Sequence, residues 1–225
     1  MSESASNMNN FIGINSDPKY NKSLCELLSS NDIPHRWRGT PIEHFIQAQN
    51  FGYPLHPQTR PQMLIASCME FRYSMPVPAG YAYIIRTPGG RLIGSELAIG
   101  YVLHKGVTCI LLIAHDDCGM THLVEKGPEI VEAFVEQGWN REQAQQFVHE
   151  QTARLAVKDE LDALQQEYHR LKSLFKNVHV APLFLTLCDK RVYIPRWYQE
   201  LIANDNPFSA GPFHDAEPRN LPHAC

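Results

Sequence analysis

Several features are missing from this 225-residue chain. No apolar run approaches the ~20 residues that a membrane-spanning helix needs. The opening residues, MSESASNMNN, carry neither the basic nor the apolar region of a secretory signal. The expectation is therefore a cytoplasmic protein with no membrane partner, whose thiols stay reduced. Positive charge is not in excess: 20 Lys and Arg stand against 24 Asp and Glu, for a formal net charge of −4. That balance argues against a nucleic-acid partner, because phosphate neutralisation needs a basic stripe. No internal repeat is present. A hydrophobic content of 44% with 20% charged residues is ordinary for a globular protein able to bury a substantial core.

In a reducing compartment the six cysteines are not expected to form disulfides, which leaves inert burial or metal binding and catalysis. Cys109, in VTCILLIA, and Cys188, in LFLTLC, read as small core hydrophobes. Cys25 and Cys225 lie near the chain ends without a partner motif. Cys68 and Cys118 have chemical company: SCMEFR places a thiol, a carboxylate and a guanidinium within five positions (68–72), and HDDCGM pairs His115 with Cys118.

Polar residues 1–17 read as a disordered or loosely docked arm, and 206–225, punctuated by prolines, as an irregular tail. One domain occupies 18–205. Within it, TPIEHFIQAQNFG is a helix with Thr40 as cap, Pro41 in the first turn, Glu43 completing a capping box and Gly52 as stop. Four short apolar runs follow at 62–67, 81–86, 107–114 and 178–188. They alternate little, which is the pattern of strands covered on both faces. LIGSELAIGYVLHKG, between the second and third, has helical spacing, so the unit is a strand–helix–strand crossover and the sheet is parallel. DKRVYI turns into a further strand expected to pair antiparallel at the edge. Residues 128–176 are largely helical. Leu161, Leu164, Tyr168, Leu171 and Phe175 form an apolar seam that faces either this chain's own sheet or a second subunit. The fold class is α/β: a parallel sheet core with an antiparallel edge strand, flanked by helices.

Cys68 ends one parallel strand, and His115 and Cys118 leave another. Ligands of open parallel sheets bind beyond the carboxyl ends of the strands. Two thiolates and an imidazole delivered there suit zinc, which prefers tetrahedral sulfur and nitrogen ligation. A fourth protein ligand would make such a site structural, whereas an open fourth position would make it catalytic. A phosphatase-type loop does not fit, because it needs five residues between Cys and Arg and only three intervene here.

CMEFR, RTPGG, SELAIGYVL and HDDCGM occur in the order and strand context of the β-carbonic anhydrases, and the resemblance runs from about Pro61 to Met120. VAPLFLTLCDKRVYI resembles that family's closing strand and edge hairpin. The resemblance implies that Cys68, His115 and Cys118 ligate Zn2+, and that Glu70 and Arg72 stand where the family places its catalytic Asp–Arg pair. It implies reversible hydration of carbon dioxide to bicarbonate through a zinc-bound hydroxide, and assembly as a homodimer or higher homo-oligomer. His122, His44, His35 and His104 are candidates to carry the released proton.

Three positions depart from the family pattern. Glu70 replaces Asp, lengthening the acid by one methylene. YSMPVPAGYAYII replaces the usual helix between Arg72 and Arg86, and its prolines exclude one. RTPGG replaces Arg-Asn-Ala-Gly, so Pro88 removes a backbone donor near the substrate. These departures keep two alternatives in view: a catalytically silent zinc-binding homologue with a scaffold or regulatory role, and a hydrolase of carbonyl sulfide or carbon disulfide. Phe71, Tyr73, Met75 and Val77 line a narrower entrance under the second alternative, or belong to the core.

Overall fold

A computed structural model describes residues 18–204. The expected terminal arm and tail lie outside the described residues. The chain runs α1 (Pro18–Asn21), β1 (Leu24–Cys25), α2 (Pro41–Phe51), β2 (Met63–Cys68), β3 (Ala82–Thr87), α3 (Glu96–His104), β4 (Cys109–His115), α4 (Gly127–Glu136), α5 (Arg141–Leu155), α6 (Glu160–Leu174), β5 (His179–Leu185), β6 (Val192–Pro195) and α7 (Arg196–Asn204). Among the described residues no helix is long and apolar enough to cross a membrane.

The six strands form one sheet in the order β1-β6-β5-β4-β2-β3. β3, β2, β4 and β5 are mutually parallel, while β6 pairs antiparallel with β5 and with β1. The antiparallel margin is thus two strands deep: β6 is not the edge strand expected from sequence, because Leu24 and Cys25 cover it. Every residue of β2 and β4 is buried, as their unbroken apolar runs require for central strands with both faces covered. β3 is different. It is the outer strand, half-buried to exposed along its length, so its apolar run does not mark a strand covered on both faces. Ile84 remains 46% exposed.

The α2 boundaries follow the sequence signals. Thr40 accepts a hydrogen bond from the Ile42 N–H, and Gly52 closes the helix in the left-handed region at φ 75°. The capping box is displaced by one residue: Glu43 accepts from the N–H of Gly39 at 2.6 Å, because the Thr40 N–H already donates to the Trp37 carbonyl. The α6 seam lies on this chain's own sheet, with Leu161, Leu164, Tyr168 and Leu171 buried in the main core against β4 and β5. α4 and α5 form a hairpin with a small core of its own around Val131, Ala144 and Val148. Residues 69–81 contain no helix. Of the four residues offered there as an entrance lining, Phe71 is 91% exposed and Tyr73 is buried, while Met75 and Val77 rest against the core. Cys109 is buried as expected, but Cys188 is exposed. β5 stops at Leu185, and the following turn carries Cys188 out of the core.

Candidate metal centre

The register of the sheet brings the chemistry together. Cys68 is the last residue of β2 and pairs with Thr87, and His115 is the last of β4, whose neighbour β2 aligns Ser67 with Ile113. Two adjacent parallel strands therefore end side by side, and Cys118 returns to them through a tight loop. The candidate ligand atoms of Cys68, His115 and Cys118 all lie within 4.8 Å of one another, and all three residues are buried. Gly90 makes this closeness possible. Its φ is +71°, and a Cβ there would stand 3.0 Å from the Ile113 carbonyl oxygen and 3.2 Å from the Cys68 nitrogen. Only glycine lets the turn after β3 lie directly on the ends of β2 and β4.

The donor set fits a soft divalent metal. The Sγ atoms of Cys68 and Cys118 are 3.9 Å apart, and Nδ1 of His115 lies 2.7 Å from the carbonyl oxygen of Asp116. If Nδ1 donates its proton there, Nε2 presents its lone pair to the thiols. That Nε2 is buried and lacks a hydrogen-bond partner, an orphan that a cation would satisfy. The Cys118 contact and nearby His115 hold the Cys68 thiol down to about 4, whereas the same contact and burial push Cys118 up. Both could be thiolates together only with a cation between them.

Glu70 and Arg72 flank the trio. Arg72 donates from Nε to Oε1 and from Nη2 to Oε2 of Glu70, each at 2.7 Å, and its backbone N–H adds a third bond to Oε1. The guanidinium holds the Glu70 carboxyl down to about 2. Oε2 of Glu70 lies 4.0 Å from Nε2 of His115, so the longer acid is folded back against its arginine at the margin of the ligand set. Arg86 fixes the same loop by donating to the Glu70 carbonyl oxygen at 2.9 Å.

Sequence reasoning missed two acids. Asp117 takes the far side of Arg72, accepting from Nη1 at 2.5 Å through its carboxylate and from Nη2 at 2.9 Å through its carbonyl. It sits at φ 49°, a region that Asp tolerates better than most residues. Asp116, its neighbour, turns inward and accepts from the Leu187 N–H, and burial pushes its carboxyl up. The four candidate proton carriers, His35, His44, His104 and His122, are all exposed. His122 alone belongs to the segment that leaves the site, on the turn Gly119–His122 after Cys118.

No family model matches this chain, and no curated protein matches it. Solved structures do. β-Carbonic anhydrase isoform I from Trichomonas vaginalis superposes with a TM-score of 0.51 at 20% identity, covering 66% of this chain and 91% of the other. A carbonic anhydrase from Glaciozyma antarctica gives 0.50 at 18% identity, over 72% of this chain and 99% of the other. At such identities the likeness defines architecture: the chain has the α/β fold of the β-carbonic anhydrases.

Proposed function

We propose that this chain is a divergent β-carbonic anhydrase that interconverts carbon dioxide and bicarbonate at a zinc ion held by Cys68, His115 and Cys118. The observation that carries the reading is the convergence of those three buried donors, one an unpartnered imidazole nitrogen, beside a carboxylate clamped by arginine. Zinc, when bound, supplies a Lewis-acid position at which water ionises near neutral pH. The protein's part is placement. Glu70 offers Oε2 as a hydrogen-bond acceptor that orients the attacking oxygen, and Arg72 keeps that carboxylate ionised and fixed. Asp117 holds Arg72 from behind. His122, 58% exposed at its side chain and on the turn that leaves the site, is the candidate to hand a proton to solvent.

A second reading is favoured by one distance. Glu70 Oε2, only 4.0 Å from Nε2 of His115, is near enough for a small rotation to bring it to the metal as a fourth protein ligand. The centre would then be structural and the protein a scaffold or regulator. Stopped-flow carbon dioxide hydration with zinc-loaded protein separates the two: acceleration over buffer supports the enzyme. No acceleration in the wild type, with activity gained on Glu70→Asp, supports the closed centre. Sulfide release from carbonyl sulfide or carbon disulfide would instead identify a hydrolase.

Two further features belong to this proposal. Thiolate ligands must stay reduced to bind metal, which suits the cytoplasm. The outer strand β3, with Ile84 exposed, together with Leu97 and Tyr101 exposed on α3, supports assembly of copies of this chain into a homo-oligomer.

A further inference from the structure

Beside the ligand trio lies a small pocket. Ala114, Val157 and Ala163 give it apolar walls, His115 and Cys118 border it, and Glu160 is the one carboxylate on its lining. Glu160 is 5% exposed. It opens α6 directly after Asp159, whose side chain already accepts from the N–H groups of Leu161 and Asp162, so the helix start is capped without it. Lys19 of α1 reaches in from the surface and places Nζ 2.5 Å from Glu160 Oε2 and 3.2 Å from Asp159 Oδ2.

A buried carboxylate next to a metal-binding thiol has an electrostatic consequence. Two thiolates cancel the charge of a dication, so a further negative charge beside them deepens the potential at the ion, and a neighbouring ammonium offsets it. We propose that Glu160 and Lys19 form a charge pair that sets how tightly the trio retains its metal, Glu160 strengthening the hold and Lys19 moderating it. The inference rests on the zinc reading above.

Zinc affinity, measured at about pH 8 by competition with a chromogenic chelator, tests it without recourse to activity. Glu160→Gln should weaken binding about fivefold and Lys19→Met should tighten it about threefold, the latter shrinking at high salt because Lys19 is 43% exposed at its side chain. The double variant should return to within about twofold of wild type. A pair that merely braced α1 on α6 would loosen the site in both single variants. Shifts in the same direction, or no shift in either, overturn the proposal. Should Glu160→Gln be unfolded by circular dichroism, Lys19→Met decides alone: tighter binding supports the pair, and equal or looser binding overturns it. Wild-type protein that takes up no zinc would overturn the metal reading itself. One zinc per wild-type chain with undiverging variants would overturn only this inference.

Discussion

The two ends of β4 make opposite uses of similar residues. At its start, Cys109 is buried and its thiol is pushed up by that burial. Beside its other end, on the neighbouring strand β2, the Cys68 thiol is pushed down by its neighbours. At the amino end, bonds run to backbone carbonyls: the backbone N–H of His179 donates to that of Thr108, and Lys172 donates to those of Lys176 and Val178. Like charges crowd there, and burial with nearby Lys172 and Arg36 lowers His179. At the carboxyl end opposite charges are paired, and a buried imidazole nitrogen is left without a partner. A scaffold end whose polar groups are spent on backbone holds structure together. One that leaves three buried donors close together could hold a cation.

The strongest way to break this contrast is to exchange the thiols' fates. Cys68→Ser or Cys118→Ser should cost essentially all bound zinc by elemental analysis, more than the roughly 10- to 100-fold that outer partners of a metal site usually command. Cys109→Ala should leave zinc untouched and lower stability by about 1 kcal/mol in urea titration. Zinc retained by both serine variants would refute the ligand assignment.

Next in size is the backbone junction. Gly90→Ala forces a Cβ onto the Ile113 carbonyl at a left-handed φ and should destabilise the protein by about 2 kcal/mol while weakening zinc binding. Gly100→Ala, which meets nothing within 4 Å, is the control. An unchanged midpoint for Gly90→Ala would show that the strand ends can part without harm.

The acid clamp comes third. Arg72→Ala should keep zinc and lower the hydration rate about 100-fold, and Asp117→Ala about tenfold, since Asp117 acts through Arg72. A larger loss in Asp117→Ala than in Arg72→Ala would reverse that order of dependence.

The smallest effect belongs to the amino end. His179 titrates below the ordinary 6.5, so under that pH the folded protein binds fewer protons than the unfolded chain. Its contribution is absent above pH 6.5, and stability declines as pH falls toward the folded value. His179→Gln removes that share, so its stability should decline less than that of wild type between about pH 7.5 and 5.5 in urea titrations. Equal declines would count against the lowered histidine.

Much of this was legible in the residues because the decisive signals are local. An apolar run that leads into Cys68, and another that leads into His115, locate two candidate ligands at strand ends without coordinates. The helix 41–51 announces itself through Thr40 and Gly52. What stayed hidden depends on direction and on neighbours. Asp116 and Asp117 are indistinguishable as letters, and the positive φ at 117 decides which faces Arg72. Asp159 and Glu160 both read as ordinary helix-start acids, yet one caps the backbone and the other enters the pocket. Cys188 follows an apolar run in sequence, but hydrophobicity does not record that the strand stops three residues earlier. β3 carries an apolar stretch as β2 does, and only the strand order reveals that, among the described residues, no further strand flanks it.

Glu70 and Arg72 sit two positions apart on the same short loop, joined by three hydrogen bonds. The acid and its holder therefore travel as a single unit, and charge is conserved when the acid is exchanged for its shorter homologue. Side-chain length becomes an isolated dial: one methylene changes how far the unit extends toward the ligands without altering which groups it contains.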